Sequence, residues 1–296
     1  LHLLSRRQRQ MCIRDRAGCN DDDNSVNLET DNIFVCKNEN GIPNANEYPV
    51  THFSKIELSE VKTGDAQPVT TTQTYIYETG RLANLTLKQN FVAGESAEIK
   101  SGMQITYENH KAIVTDDYGY ISTYTLNDKG YATSCIRQEG INTRFYTFSY
   151  LVNPEGKHFL KDITESLDGN LTYSAIHIDY SDKRELHITE QTDNYEQSYT
   201  ATAPANEEIA NTSELPFLFL AELYPLSFHT AALYGKLLGD PYNVLVTRFQ
   251  PDENSESNET ITYSYALNAK GIVTSCRNVT NSYGTNYVRT VNYTIE

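Results

Sequence analysis

Two histidines and two carboxylates occur close together in a stretch that predicts a β-hairpin. His177 and Asp179 fall on one face of a predicted strand, because side chains two residues apart in a strand point the same way. A three-residue loop would place His187 opposite Asp179 with Glu190 nearby, whereas a two-residue loop would turn His187 to the other face. The first register predicts a metal site or an acid and base pair at His177, Asp179 and His187. The alternative is a set of solvent-facing polar residues on a half-exposed sheet.

Tyrosines form the second group of candidate functional residues. The sequence has 22 Tyr and no Trp. Tyr75, Tyr77, Tyr124 and Tyr265 belong to predicted strands, where they would form an exposed aromatic ladder that stacks on sugar rings or peptide. The alternative is cross-strand packing, which is the usual role of such side chains.

The common catalytic motifs are missing from the sequence. It has no Gly-x-Ser-x-Gly elbow, no Gly-rich phosphate loop after a strand and no HExxH. Asp and Glu are so abundant that a pair at hydrolase spacing is expected by chance. We therefore expect a protein that is not an enzyme and has no cofactor. The alternative is a surface hydrolase that uses carboxylates or the His177, Asp179 and His187 cluster.

One stretch of the chain occurs twice and predicts the elements that position these residues. Tyr124–Arg137 and Tyr265–Arg277 share Tyr, Leu, Asn, Lys, Gly, Thr, Ser and Cys at an offset of 141 residues. Each copy is an alternating strand, a polar turn with Gly and a second strand, which is a hairpin pattern. Similar turn signals recur along residues 51–296. The fold class is therefore mainly β, an antiparallel β-meander or open barrel in one domain.

An apolar segment at residues 206–239 interrupts the strands. It is the densest apolar part of the chain, and Glu222, Pro225, His229 and Lys236 divide it, which excludes a membrane span. Ser213 as an N-cap and Pro225 as a break predict two short helices. We expect this insertion to pack on the concave face of the curled sheet. An amphipathic hairpin that docks to a membrane or partner is the alternative.

The N-terminal region differs from the rest of the chain. Residues 1–16 are basic, lack periodicity and resemble translated sequencing-adapter read-through, so they are interpreted as non-native. Residues 17–50 are interpreted as a lipobox remnant and acidic tether, since Ala17-Gly18-Cys19 precedes an Asp run. Cys19 is then the predicted lipidation site, although no hydrophobic signal region precedes it. The alternatives are a genuine basic N-terminus and an accidental Ala-Gly-Cys.

The net charge limits the kinds of molecule that the protein can bind. The net charge is −15, which disfavours nucleic acid and polybasic membrane attachment.

Cys135 and Cys276 occupy equivalent positions in the two similar hairpins. Buried single thiols are the favoured interpretation, and a bridge between them is the alternative.

The repeated pattern of Tyr-x-Tyr or Tyr-x-Leu, a Gly-containing turn and an aliphatic strand resembles a Bacteroidetes lipoprotein family of unknown function with a porin-like fold. It occurs at Tyr75–Leu82, Tyr124–Tyr131 and Tyr265–Ile272. The acidic tether and the insertion match as well, and the resemblance covers about residues 50 to 296. It implies a lipid-anchored protein on the outer membrane, facing the cell surface. The family has no agreed activity, and we expect a binding or structural role with a glycan, peptide or partner protein. The resemblance implies no catalytic residues.

Overall fold

The computed structural model describes residues 51–296 except 64–68, 94, 183, 194, 204–207, 253–258 and 283. The chain divides into two units, Leu1–Asn40 and Gly41–Glu296, and all described residues belong to the second. The segments assigned above to residues 1–16 and 17–50 lie outside the described residues. No helix among the described residues is long and apolar enough to cross a membrane.

Strands dominate the described part of the chain, as the composition predicts. They are β1 (Lys55–Thr63), β2 (Val69–Glu78), β3 (Arg81–Ala93), β4 (Glu95–Glu108), β5 (Lys111–Asp116), β6 (Ile121–Leu126), β7 (Ala132–Glu139), β8 (Asn142–Val152), β9 (His158–Ser166), β10 (Thr172–Asp179), β11 (Glu185–Thr192), β12 (Tyr195–Thr202), β13 (Arg248–Pro251), β14 (Thr260–Leu267), β15 (Val273–Ser282) and β16 (Thr285–Ile295).

The strands form a closed barrel. Each strand of the described chain pairs antiparallel with the next, and β1 pairs with β16 from Ile56 opposite Ile295 to Thr63 opposite Val288. The prediction of a porin-like antiparallel barrel is confirmed, with the correction that the barrel is closed rather than open. Closure pairs the two edges that an open sheet would expose.

Four tight turns between strands share one hydrogen-bond pattern. In the turn after β6, Asn127 Oδ1 accepts from the backbone N–H of Lys129 and Tyr131, both at 3.0 Å. Gly130 follows with φ of 82°, a left-handed conformation that suits Gly. Asn153, Asn268 and Asp116 begin turns of the same kind. The Asn and Gly of the repeated stretch are thus requirements of the turn.

The two faces of the barrel wall differ in polarity. In β7, Ala132, Cys135 and Arg137 are buried, whereas Thr133 and Gln138 are exposed. Strand β10 alternates in the same way, as side chains of neighbouring positions in a strand point to opposite faces. The core therefore lies inside the barrel, and the outer face is mostly polar.

The insertion between β12 and β13 lies inside the barrel, as the sequence predicts. It contains two short 3-10 helices, Leu220–Glu222 and Leu226–His229, and one short helix α1 (Thr230–Tyr234). Tyr234 stacks on Tyr75 of β2 with ring centroids 3.9 Å apart. His229 Nδ1 lies 2.7 Å from the hydroxyl of Tyr124 in β6, and Tyr224 N–H donates to Glu190 of β11. Contacts with such widely separated strands mean that the insertion fills the lumen.

The barrel has two ends. We call the end with the β12–β13 connection the insertion end; the turns after β6, β8 and β14 lie there too. The far end has the turns after β5, β7, β9 and β11.

Candidate functional site

The predicted histidine and carboxylate cluster lies on the outer face of the barrel. The register places Asp179 opposite His187, as the three-residue loop requires. The side chains nevertheless bind other partners. His177 Nδ1 lies 2.6 Å from Asp162, Asp179 accepts from the N–H of its own turn at Ser181, and His187 lies 3.5 Å from Glu185.

This outer-face arrangement does not form a metal centre. No group of three His, Cys, Asp or Glu in the described ranges could hold a metal ion. Glu190 is inside the barrel and fully buried, so it faces away from His187. Asp179 nevertheless has both histidines nearby, since the N–H of Ser181 and, to a smaller extent, His177 and His187 lower its pKa.

The four tyrosines predicted to form an exposed ladder point inward. Tyr75, Tyr77 and Tyr124 are buried, and Tyr265 is packed against the core. Tyr77 donates to the carbonyl of Tyr234 in the insertion, and Tyr265 donates to the carbonyl of Val246, which lies between the insertion and β13. The prediction that these tyrosines are exposed was therefore wrong. Strand alternation shows only which residues share a face, and the apolar insertion inside the barrel makes the inner face the buried one. Cross-strand and core packing is their observed role.

Burial keeps these phenols protonated. Desolvation raises the pKa of Tyr75 and Tyr124 well above the ordinary phenol value. Nearby tyrosines raise the pKa of Tyr75 further, and Cys135 raises that of Tyr124. Each hydroxyl is therefore available as a hydrogen-bond donor at any physiological pH.

Cys135 and Cys276 are both free and buried. They belong to β7 and β15, which are eight strands apart in both directions around the barrel and therefore lie on opposite walls. Desolvation raises the pKa of each thiol to about 12. The two thiols do not form a bridge, which agrees with the interpretation as buried single thiols.

The repeated hairpins hold the two ends of the insertion from these opposite walls. Ala132 N–H donates to the carbonyl of Leu237 at 2.7 Å, and Val273 N–H donates to Ser213 Oγ at 2.7 Å. Ala132 and Val273 are equivalent positions in the two copies. The ladder is shifted in register next to each of them, at Leu126 and at Leu267, which frees these N–H groups for the insertion. Ser213 is thus an anchor rather than the predicted helix cap.

Asp240 fixes the end of the insertion more firmly. Its Oδ2 accepts from the Tyr131 hydroxyl at 2.7 Å and from His158 N–H at 2.8 Å. Its own N–H donates to the carbonyl of His158 at 2.6 Å. A Cβ on Gly239 would lie 2.6 Å from that same oxygen, so only Gly permits this close approach.

A charge network surrounds the tip of the insertion towards the far end. Arg144 lies 2.7 Å from the fully buried Glu165 and donates to the Tyr224 hydroxyl at 2.9 Å. The carboxylate of Glu139 forms ion pairs with Arg137 Nε at 2.6 Å and with Arg144 Nε at 3.2 Å. Burial alone would raise the pKa of Glu139, but these two guanidinium groups hold that pKa below its usual range. The network satisfies charges that burial would otherwise make costly.

A shallow aromatic groove at the insertion end is the best candidate for ligand contact. Its partly exposed walls include Phe217, Tyr180, Tyr242 and Asp240, over a floor of buried Leu side chains. It holds about 400 Å³ of empty space, including solvent at its mouth. Tyr242 lies 5.6 Å from both Tyr180 and Phe217, centroid to centroid. Aromatic faces of this kind stack on sugar rings or on apolar peptide side chains.

The sequence interpretation missed the residues of this groove. Tyr180 directly follows β10, and Tyr242 follows Pro241 after the insertion, so they meet only when the insertion folds back into the barrel. The signal that could have indicated them is the placement of aromatics beside Pro216 and Pro241, where the insertion enters and leaves the lumen.

A closed antiparallel β-barrel with its lumen filled by one inserted segment defines the class of protein, a porin-like fold with a plug. Residues 75–275 match the model of a domain of unknown function (DUF4595) with porin-like fold. The chain belongs to this family.

Solved structures similar to the chain include two porin-like proteins from Bacteroides species. A porin-like protein from Bacteroides uniformis is 53% identical, with a TM-score of 0.79, over 84% of this chain and 99% of that one. A porin-like protein from Bacteroides vulgatus is 11% identical, with a TM-score of 0.47, over 84% of this chain and 98% of that one. The comparison with curated proteins gave no match.

Proposed function

We propose that this protein is a surface-exposed bacterial lipoprotein, held at the outer membrane by a lipid on Cys19, with a binding or structural role. The ligand class is a glycan, a peptide or a partner protein. The observation that carries the proposal is that the insertion occupies the lumen. A barrel without a water-filled channel has its groove, its ends and its outer face available for contact with other molecules.

The polar outer face supports a barrel that stands in water. Barrels that cross a bilayer present an apolar outward band about 25 Å tall with aromatic girdles. Here the exposed outward positions of β10, β11 and β15 include His177, His187 and Arg277. Attachment would then depend on the N-terminal tether, where Ala17-Gly18-Cys19 and the acidic run lie.

The aromatic groove supports binding at the insertion end. Phe217, Tyr180 and Tyr242 offer apolar faces beside the carboxylate of Asp240, a combination suited to a sugar ring with its hydroxyls or to a short peptide. Because Asp240 is already fixed by Tyr131 and His158, the groove is organised before any ligand arrives.

Attachment is tested by placing a lipoprotein signal peptide before Ala17 and expressing the chain in a Bacteroides host. We expect the protein to enter the detergent phase and to be cleaved by protease added to intact cells. Cys19→Ala should move it to the aqueous phase. Retention of wild type in the aqueous phase, or no effect of Cys19→Ala, would contradict the lipid anchor.

Binding is tested with glycan and peptide arrays, using the full chain and a Tyr242→Ala variant. We expect ligands of one class whose signal falls in the variant. A control substitution on the outer wall, Thr133→Ala, should leave the signal unchanged. Signals that are absent, or equal in all three proteins, would contradict a binding role for the groove.

A further inference from the structure

Large apolar side chains are exposed together at the far end of the barrel. Ile141 in the β7–β8 turn is 100% exposed, and Leu171 in the β9–β10 loop is 76% exposed. Leu167 of the same loop and Ile136 of β7 are exposed as well. Phe145 of β8 lies between them. We call these five residues the far-end patch.

Ile136, Phe145 and Gly169 of the β9–β10 loop lie next to one another. Ile136 and Phe145 are direct partners in the β7–β8 ladder and so lie side by side on the outer face. The β9–β10 loop passes over Phe145, since a Cβ on Gly169 would be 3.7 Å from Phe145 Cδ2. Leu167 and Leu171 flank that glycine. Contiguous exposed apolar surface rimmed by polar residues is typical of interaction sites.

The loop that presents the two leucines is held in one conformation. Asp168 Oδ1 accepts from the N–H groups of Asn170 and Leu171 at 2.8 and 3.0 Å, and from Ser166 Oγ at 2.9 Å. These backbone N–H groups, with Ser166, hold the pKa of Asp168 below its usual range. A loop organised in this way presents Leu167 and Leu171 without a further ordering cost when a partner binds.

Charges next to the patch have one sign. Asp117, Asp168 and Asp193 are exposed on neighbouring turns of the far end, and Glu196 is exposed near the start of β12. The described turns at 117–120, 140–141, 167–171 and 193 contain no Lys or Arg. The nearby Arg137 and Arg144 point inward and are held by Glu139 and Glu165. The exposed surface therefore combines aliphatic side chains with negative charge.

We propose that the far-end patch binds a cationic protein surface, with aliphatic side chains of the partner on Ile141, Leu167 and Leu171 and its Lys or Arg residues beside the acidic turns. A second copy of this chain would bring like charges together, because each copy carries −15. Anionic lipid headgroups would be repelled for the same reason. The proposal goes beyond the groove, which lies at the other end of the barrel.

The test uses fluorescence anisotropy of three labelled peptides of equal length with the full chain. One alternates Lys and Leu, one alternates Lys and Ser, and one alternates Glu and Leu. We expect the Lys and Leu peptide to bind about tenfold or more tightly than the other two, because it alone has both chemistries.

Paired variants locate the binding. Ile141→Asn with Leu171→Asn should weaken the Lys and Leu peptide by about tenfold, because both apolar contacts are lost. Leu151→Asn with Val152→Asn is the control, since these two residues are 39% and 50% exposed at the insertion end. It should bind as wild type does.

Three outcomes would overturn the proposal. The Lys and Leu peptide could fail to bind wild type, or bind the far-end variant as tightly as the control. Wild type could form a dimer that Ile141→Asn with Leu171→Asn abolishes, which would assign the patch to a second copy. Binding to phosphatidylglycerol vesicles that the same pair abolishes would assign the patch to lipid.

Discussion

The hydroxyl of Tyr124 lies 2.7 Å from Nδ1 of His229, and both residues are buried inside the barrel. One belongs to the wall and the other to the insertion. Desolvation, helped by Arg137, lowers the pKa of His229 to about 3. The neutral imidazole of His229 therefore helps to join the insertion to the barrel wall.

His229 should make stability depend on acid. Its pKa is about 3 when folded and about 6.5 when unfolded, so below pH 6.5 the unfolded state binds the extra proton. The free energy of unfolding should fall as the pH falls, by about 3 kcal/mol from this group between pH 7 and pH 4. Urea titrations of wild type and His229→Gln at both pH values measure it. An equal loss in the two proteins would show that His229 contributes nothing.

Ser213→Ala should destabilise the protein by about 1–3 kcal/mol, because the buried N–H of Val273 loses its acceptor. Thr212→Ala is the matched control, since the hydroxyl of Thr212 donates to Gly271 in an exposed bond. It should cost under about 0.5 kcal/mol. Chemical unfolding at pH 7 measures both. A Ser213→Ala protein as stable as wild type would contradict the anchoring role.

Gly239→Ala should cost more than Gly284→Ala. Both glycines have positive φ, 97° and 81°, but only Gly239 has a backbone oxygen 2.6 Å from the position of a Cβ. We expect about 1–2 kcal/mol for Gly284→Ala from φ alone and about 3 kcal/mol or more for Gly239→Ala. Unfolding midpoints measure the difference. Equal costs would contradict the close contact with His158.

Arg144→Leu should destabilise the protein by about 3–5 kcal/mol, because it leaves the carboxylate of Glu165 buried without its cation. Lys100→Leu removes an exposed partner of Glu98 and should leave stability close to that of wild type. The double variant Arg144→Leu with Glu165→Gln should recover part of the stability that Arg144→Leu loses. No recovery would mean that the pair does not act as a unit.

Much of this fold follows from local sequence rules. Turns such as Asn127 to Tyr131 are specified by one Asn and one Gly, and strand alternation placed Asp179 opposite His187 once the loop length was assumed. Tyr75 and Tyr124 show what local rules lack. Their alternation is compatible with either face, and only the position of the insertion decides which face is buried.

The candidate groove was less accessible to sequence reasoning. Phe217, Tyr180 and Tyr242 are far apart in the chain and meet through the return of the insertion. The opposite placement of Cys135 and Cys276 also depends on closure, since it follows from the number of strands around the barrel. Long-range geometry of this kind has no signature in the spacing of residues.

The central claim, a lumen filled by the insertion, is tested most directly by the native reactivity of the two inward thiols. In the full chain with Cys12, Cys19 and Cys36 replaced by Ser, Cys135 and Cys276 alone remain of the five cysteines. A filled lumen predicts no reaction with a maleimide over hours in buffer and rapid reaction of both thiols in urea, since they are buried and their pKa is about 12. Prompt labelling of both thiols in the folded protein would contradict the claim.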